Sequence, residues 1–101
     1  MWESPMYRSR RAGTLGTVAS FVIEQYLPGS DRAARAGEIA RVHALRNDLA
    51  ALGARHVQSV AIPADEMCMY LFEADSEADV IVAYRRARLP YDRIVEVELA
   101  E

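Results

Sequence analysis

Cysteine is nearly missing from this chain: Cys68 stands alone, which excludes an internal disulfide framework and a multi-cysteine metal site and suits a reducing compartment. Lysine is missing altogether, and all twelve basic residues are arginine, a coding bias rather than a functional signature. No apolar run approaches the about 20 residues that a membrane helix needs. The start, Met1–Gly16, has arginines but no apolar core of a signal peptide. The expectation is a cytoplasmic protein with no membrane partner. Glycine-rich phosphate loops, serine or cysteine triads and zinc spacings are also lacking. With a net charge of −3, the basic clusters are Arg8, Arg10 and Arg11 in the tail and Arg85, Arg86 and Arg88 further on. They read as a solvated tail and as charges favoured by a helix C-terminus, so no nucleic-acid partner is expected.

What is present suits one modest core in 101 residues. Residues 1–16 mix Trp, Pro, Gly, Ser and Arg without period and read as a flexible extension, followed by a domain over 17–101. Strand-like stretches are Ser20–Leu27, Ala54–Pro63, Met67–Glu73 and Arg93–Leu99, and helical spacing occupies Arg32–Leu52 and Glu77–Arg88. Pro28-Gly29 stops the first strand, Ser30 or Asp31 can cap the first helix, and Gly53 can end it. That helix carries an apolar stripe of Ile39, Val42, Leu45, Leu49 and Leu52.

In the second strand Val57, Ser59 and Ala61 alternate with His56, Gln58, Val60 and Ile62, and the first set is small enough to lie beneath a helix. Pro63-Ala64-Asp65-Glu66 reads as a tight turn that joins it to the third strand as a hairpin. The third strand, Met67–Phe72, is apolar on both sides and therefore central. This order predicts an α+β, ferredoxin-like βαββαβ sandwich: a four-stranded antiparallel sheet with two helices on one face, the first and last strands adjacent to each other and to the third. The other face stays uncovered, which in a small chain suits a dimer interface, a ligand site or both. Glu24, pointing opposite to Phe21 and Ile23, is expected beside Glu96 on that face.

The runs Glu24–Gly29, Asp65–Ala74 and Leu89–Val97, in that order and spacing, resemble the small ferredoxin-like proteins catalogued as a domain of unknown function, some of them described as nickel-binding proteins. The resemblance covers Phe21 to the end. It implies a homodimer in which two sheets meet face to face, as in dimeric α+β barrels, and a nickel site that relies on histidines. This chain departs from the pattern: its first strand has no histidine, and Tyr84 stands where relatives often carry one.

Nickel favours imidazole and carboxylate and needs three or four converging groups. The only histidines are His43, read as a surface or helix-packing residue, and His56, which alternates away from Val57. His56, Glu24 and Glu96 are therefore the candidate ligands for Ni2+ or another divalent metal, against a plainer reading of an edge histidine and of carboxylates paired with Arg55 or Arg93. Cys68 reads as a small buried residue, and Asp92-Arg93 as an ion pair at a strand entry rather than a phosphate-facing pair. The expected function is a small homodimeric protein that binds a metal ion or small ligand on the open sheet face. One alternative is a cofactor-free enzyme or biosynthetic accessory protein using an inter-sheet cavity, with Glu24 or Glu96 transferring protons and Tyr26 or Tyr70 donating. The other is a structural or interaction module.

Overall fold

The computed structural model describes residues 18–100, so the expected extension over 1–16 lies outside the described residues. The elements are β1 (Ala19–Tyr26), α1 (Arg32–Ala44), α2 (Arg46–Ala51), β2 (Arg55–Ile62), β3 (Met67–Ala74), α3 (Glu77–Ala87) and β4 (Arg93–Val97). A 3-10 turn, Pro63–Asp65, makes the tight connection between β2 and β3. Asp31 caps α1, its carboxylate accepting from the Ala34 N–H at 2.8 Å, and the Ser76 hydroxyl caps α3 at Asp79. The long predicted helix breaks at Leu45, whose φ and ψ of −96° and 7° leave the helical region. The stripe nonetheless continues across the break, because Val42 and Leu49 are both buried. Gly53, at φ +99°, makes the left-handed exit into β2 that a side chain would strain.

The strands form one antiparallel sheet in the order β2-β3-β1-β4, and the helices cover one face, as expected for a ferredoxin-like fold. One neighbour relation differs from expectation: β4 pairs with β1 alone and lies at the edge, so it does not reach β3. In the central strand β3 the even residues Cys68, Tyr70, Phe72 and Ala74 are buried beneath the helices. Phe21 and Ile23 of β1 join them, with Val42, Leu49, Val80, Ala83 and Tyr84 from the helices. Among the described residues, no helix is long and apolar enough to cross a membrane.

Tyr84 packs edge-on against Phe72 and Tyr91, with ring centroids 5.6 and 5.8 Å away. Its hydroxyl is buried without a hydrogen-bond partner among the described residues, and burial pushes its pKa up. An unsatisfied buried donor carries a desolvation cost of about 1–3 kcal/mol. Tyr84→Phe keeps the ring contacts and removes that cost. We expect it to raise unfolding stability by about 1 kcal/mol in urea titration; a loss of similar size would show that the hydroxyl is satisfied in solution.

Candidate functional site

Alternation along β1 turns Phe21, Ile23 and Gln25 towards the helices and Ser20, Val22, Glu24 and Tyr26 to the uncovered side. The register extends this pattern across the sheet. Val22 lies between Leu71 of β3 and Val95 of β4, and Glu24 lies between Met69 and Arg93. From β2, Gln58 stands opposite Leu71 and Val60 opposite Met69. The middle of the open face is therefore apolar. A groove of about 210 Å3 lies there, lined chiefly by Val22, Gln58, Val60, Met69, Leu71 and Leu99.

Beyond Val22 and Met69, on the same face of the sheet, lies a polar cluster that does not line the groove itself. The Tyr26 hydroxyl donates to Glu24 Oε1 at 3.3 Å, and Arg93 Nη1 lies 3.6 Å from Glu24 Oε2. The Asp92 carboxylate accepts from the Tyr26 backbone N–H at 2.7 Å, and the Asp92 N–H donates to the Glu24 carbonyl at 2.9 Å. Asp92 thus holds the strand entry together while Arg93 pairs with Glu24, which replaces the expected Asp92–Arg93 pair. The negative charge of Glu24 pushes the Tyr26 phenol pKa up, since a phenolate beside a carboxylate is disfavoured. Chemically, the cluster can accept and donate hydrogen bonds to a polar head while the groove takes an apolar body.

Three of the expected site residues stand elsewhere. Glu96 is the partner of Phe21, whose side chain enters the core, so Glu96 projects on the helix side of the sheet and Glu24 on the other. One residue of register separates the expected carboxylate pair. Glu96 lines a different groove, of about 680 Å3, with Asp75, Ser76, Glu77 and Glu98. Tyr70 is fully buried, its pKa raised by burial, and it donates to Gln25 Oε1 at 3.0 Å. Gln25 in turn donates to Glu38 Oε1 at 3.1 Å, a buried polar chain under α1 that the sequence reading missed.

His56 is displaced by a β-bulge. The register shifts between His56 and Gln58, so His56 pairs with Phe72 on the helix side, in phase with Ser59 and Ala61. Val57, expected beneath a helix, is the extra residue and is exposed. The His56 ring packs edge-on against Phe72, at 5.5 Å between centroids, and its Nε2 shares a 2.8 Å hydrogen bond with Ser59 Oγ. The exposed His43 ring is 6.3 Å away. Glu24, His56 and Glu96 therefore do not form one coordination shell. Among the described residues no group of three or more His, Cys, Asp or Glu side chains could hold a metal ion. Cys68 is buried and free, its thiol pKa raised by burial, as befits a packing residue.

No family model matches the chain, and no curated protein does. Among solved structures, the fold is similar to the crystal structure of SCO4226 from Streptomyces coelicolor A3(2), with TM-score 0.62 and 24% identity over 82% of this chain and all of that one. It is also similar to the structural-genomics protein YJCS, with TM-score 0.52 and 8% identity over 83% of this chain and all of that one. At these identities the likeness shows the fold.

Burial, followed by the charges of His43 and Arg46, lowers the His56 pKa below its ordinary 6.5. Below pH 6.5 the unfolded chain then binds a proton that folded His56 resists, so stability falls as pH drops until the folded ring also titrates. Thermal melts at pH 7.5 and 5.5 should show a smaller acid loss for His56→Asn than for the wild type; equal losses would mean that His56 does not titrate differently on folding.

Proposed function

We propose that this protein is a small homodimeric binding protein, associating through the open sheet face and holding a small organic ligand between the two sheets. The observation that carries the reading is the apolar middle of that face, Val22, Val60, Met69, Leu71 and Val95, covered by no element of the described chain. Val60 is 45% exposed and Leu99 57%. Four strands spaced about 4.8 Å apart and roughly 25 Å long offer on the order of 500 Å2 of projected face. Side-chain relief brings this towards the about 800 Å2 per partner of a standard interface. The ion pairs Glu24–Arg93 and Arg55–Glu73 flank the apolar middle, an arrangement of apolar centre and polar rim common to protein interfaces.

The geometry favours an organic ligand over a divalent ion, because the groove is apolar and the expected metal ligands diverge. Among the described residues, nickel or another divalent ion has only the His43–His56 pair to build on, half of a usual shell. A proton-transfer enzyme in the same groove would work with Glu24 and Tyr26, since Glu96 and Tyr70 face the other way.

Light scattering on tag-free protein should give twice the chain mass at micromolar concentration. Leu71→Glu, which places a charge in the middle of the face but outside the helix-side core, should weaken self-association by at least about 100-fold while leaving the circular dichroism unchanged. A wild type that stays monomeric would overturn the dimer. In calorimetric titration of Ni2+ into the same protein we expect no saturable binding; binding at a fixed ratio that His43→Ala abolishes would instead establish the metal reading.

A further inference from the structure

Followed back towards the start of α1, the apolar stripe of Leu49, Leu45, Val42 and Ile39 arrives at Arg35, so helical spacing places a guanidinium over the sheet where an aliphatic side chain would continue the pattern. Arg35 is only 9% exposed. Its Nη1 donates to the Ser30 carbonyl at 2.7 Å and to the Ser30 hydroxyl at 3.1 Å, and both acceptors are neutral. The ion pairs among the described residues are Arg41–Glu38, Arg55–Glu73 and Arg93–Glu24, none of them with Arg35. Glu38, three residues on, is turned to Gln25 and Arg41 instead. A charge held this deep, with neutral acceptors and no ion pair among the described residues, is costly to the fold alone.

The first turn of α1 compounds the imbalance. Within it there is no acidic residue and Arg32 occupies its first position, so the N-cap carboxylate of Asp31, held by the Ala34 N–H, is the one negative group set against two guanidinium groups at the positive end of the helix dipole. Between this turn and the end of β2 runs a groove of about 340 Å3, lined by Arg32, Arg35, Ala36, Ile39, Ala61 and Pro63. Its size falls within the about 300–1,000 Å3 typical of ligand pockets. The two arginines are its charged groups, and the other four side chains are aliphatic.

We propose that this groove binds a small aliphatic carboxylate, the carboxylate held by Arg32 and Arg35 and the alkyl chain lying along Ala36, Ile39, Ala61 and Pro63. The planar guanidinium fork matches a carboxylate, and with Nη1 engaged by Ser30, Arg35 keeps further N–H donors on Nε and Nη2. Inorganic phosphate fits less well because it would leave the apolar walls unused. A purely structural Arg35, fastening Ser30 to the helix, accounts for the Nη1 bonds but not for Arg32 or for the groove. The site lies on the helix side of the sheet, apart from the open face, and does not depend on dimerisation.

The test is a 15N-NMR titration of the full chain with hexanoate, hexanol and inorganic phosphate as separate probes. Hexanoate should shift the amides of Arg32–Ala36, Ala61 and Ala64 saturably, with hexanol and phosphate at least about tenfold weaker, the worth of one charge-assisted contact. Arg32→Ala, at an exposed position, should weaken hexanoate by a similar factor. Arg35→Leu, which continues the apolar stripe, should abolish binding without lowering the melting temperature; should that variant fail to fold, Arg32→Ala decides. Equal binding of hexanol, phosphate binding in place of hexanoate, no saturable shift at these residues, or unchanged hexanoate affinity in Arg32→Ala would each overturn the proposal.

Discussion

The two-residue period of β3 is the constraint on which the rest of the structure depends. As the strand between β1 and β2, it must serve both faces of the sheet. It sends Cys68, Tyr70, Phe72 and Ala74 under the helices and Met69, Leu71 and Glu73 to the open side. Everything in the core is referred to the first set: Phe21 lies opposite Phe72, Ile23 opposite Tyr70, and Tyr84 of α3 packs edge-on against Phe72. The second set defines the candidate ligand groove. A one-residue slip in this strand would exchange an aromatic core for two aliphatic residues and a carboxylate, which the buried side cannot accept. The tight packing of one face thereby dictates the composition of the other.

Polar groups concentrate at the end of the sandwich where β1 finishes and α1 begins. On the helix side, Tyr70, Gln25 and Glu38 form a hydrogen-bonded chain, and Arg35 reaches back to Ser30. On the open side, Tyr26, Glu24 and Arg93 form a second cluster, tied to the loop before β4 by Asp92. The two clusters share a strand, because Gln25 lies between Glu24 and Tyr26 and points the opposite way. Hydrogen-bonded backbone holds both, whereas at the opposite end the half-exposed Arg55–Glu73 ion pair carries little energetic weight and the polar residues Asp75, Ser76, Glu77, Glu96 and Glu98 line an open groove.

Much of this was legible in the residues. The strands and helices appear where the periodicity places them, with ends shifted by a residue or two. The Asp31 cap, the Gly53 exit, the Pro63 turn and the buried Cys68 all follow from local chemistry. The site was harder to read. Glu24 stands on the open face where alternation puts it, whereas Glu96 and His56, which alternation puts on the same face, stand on the other. Alternation within one strand says which residues share a side, but not which side of the sheet that is. The bulge at Val57 adds a residue to β2 that no period-two count anticipates. For Arg35 a signal existed: it sits at the next stripe position before Ile39, but a charged side chain at a helix start reads as solvated until its burial is seen.

By itself, then, the sequence determined the order and type of the elements, because hydrophobic period, caps and turns are local properties of a few consecutive residues. It also determined that the helices would cover one face of the sheet alone, since two helical segments supply a single layer. Tertiary structure alone decided which polar residues meet. Register between β1 and β4 separated Glu24 from Glu96, a bulge turned His56 towards the helices, and docking of α1 buried a guanidinium beside Ser30. Those outcomes depend on how two segments distant in the chain align, and a shift of one residue in that alignment reverses the face on which a side chain appears.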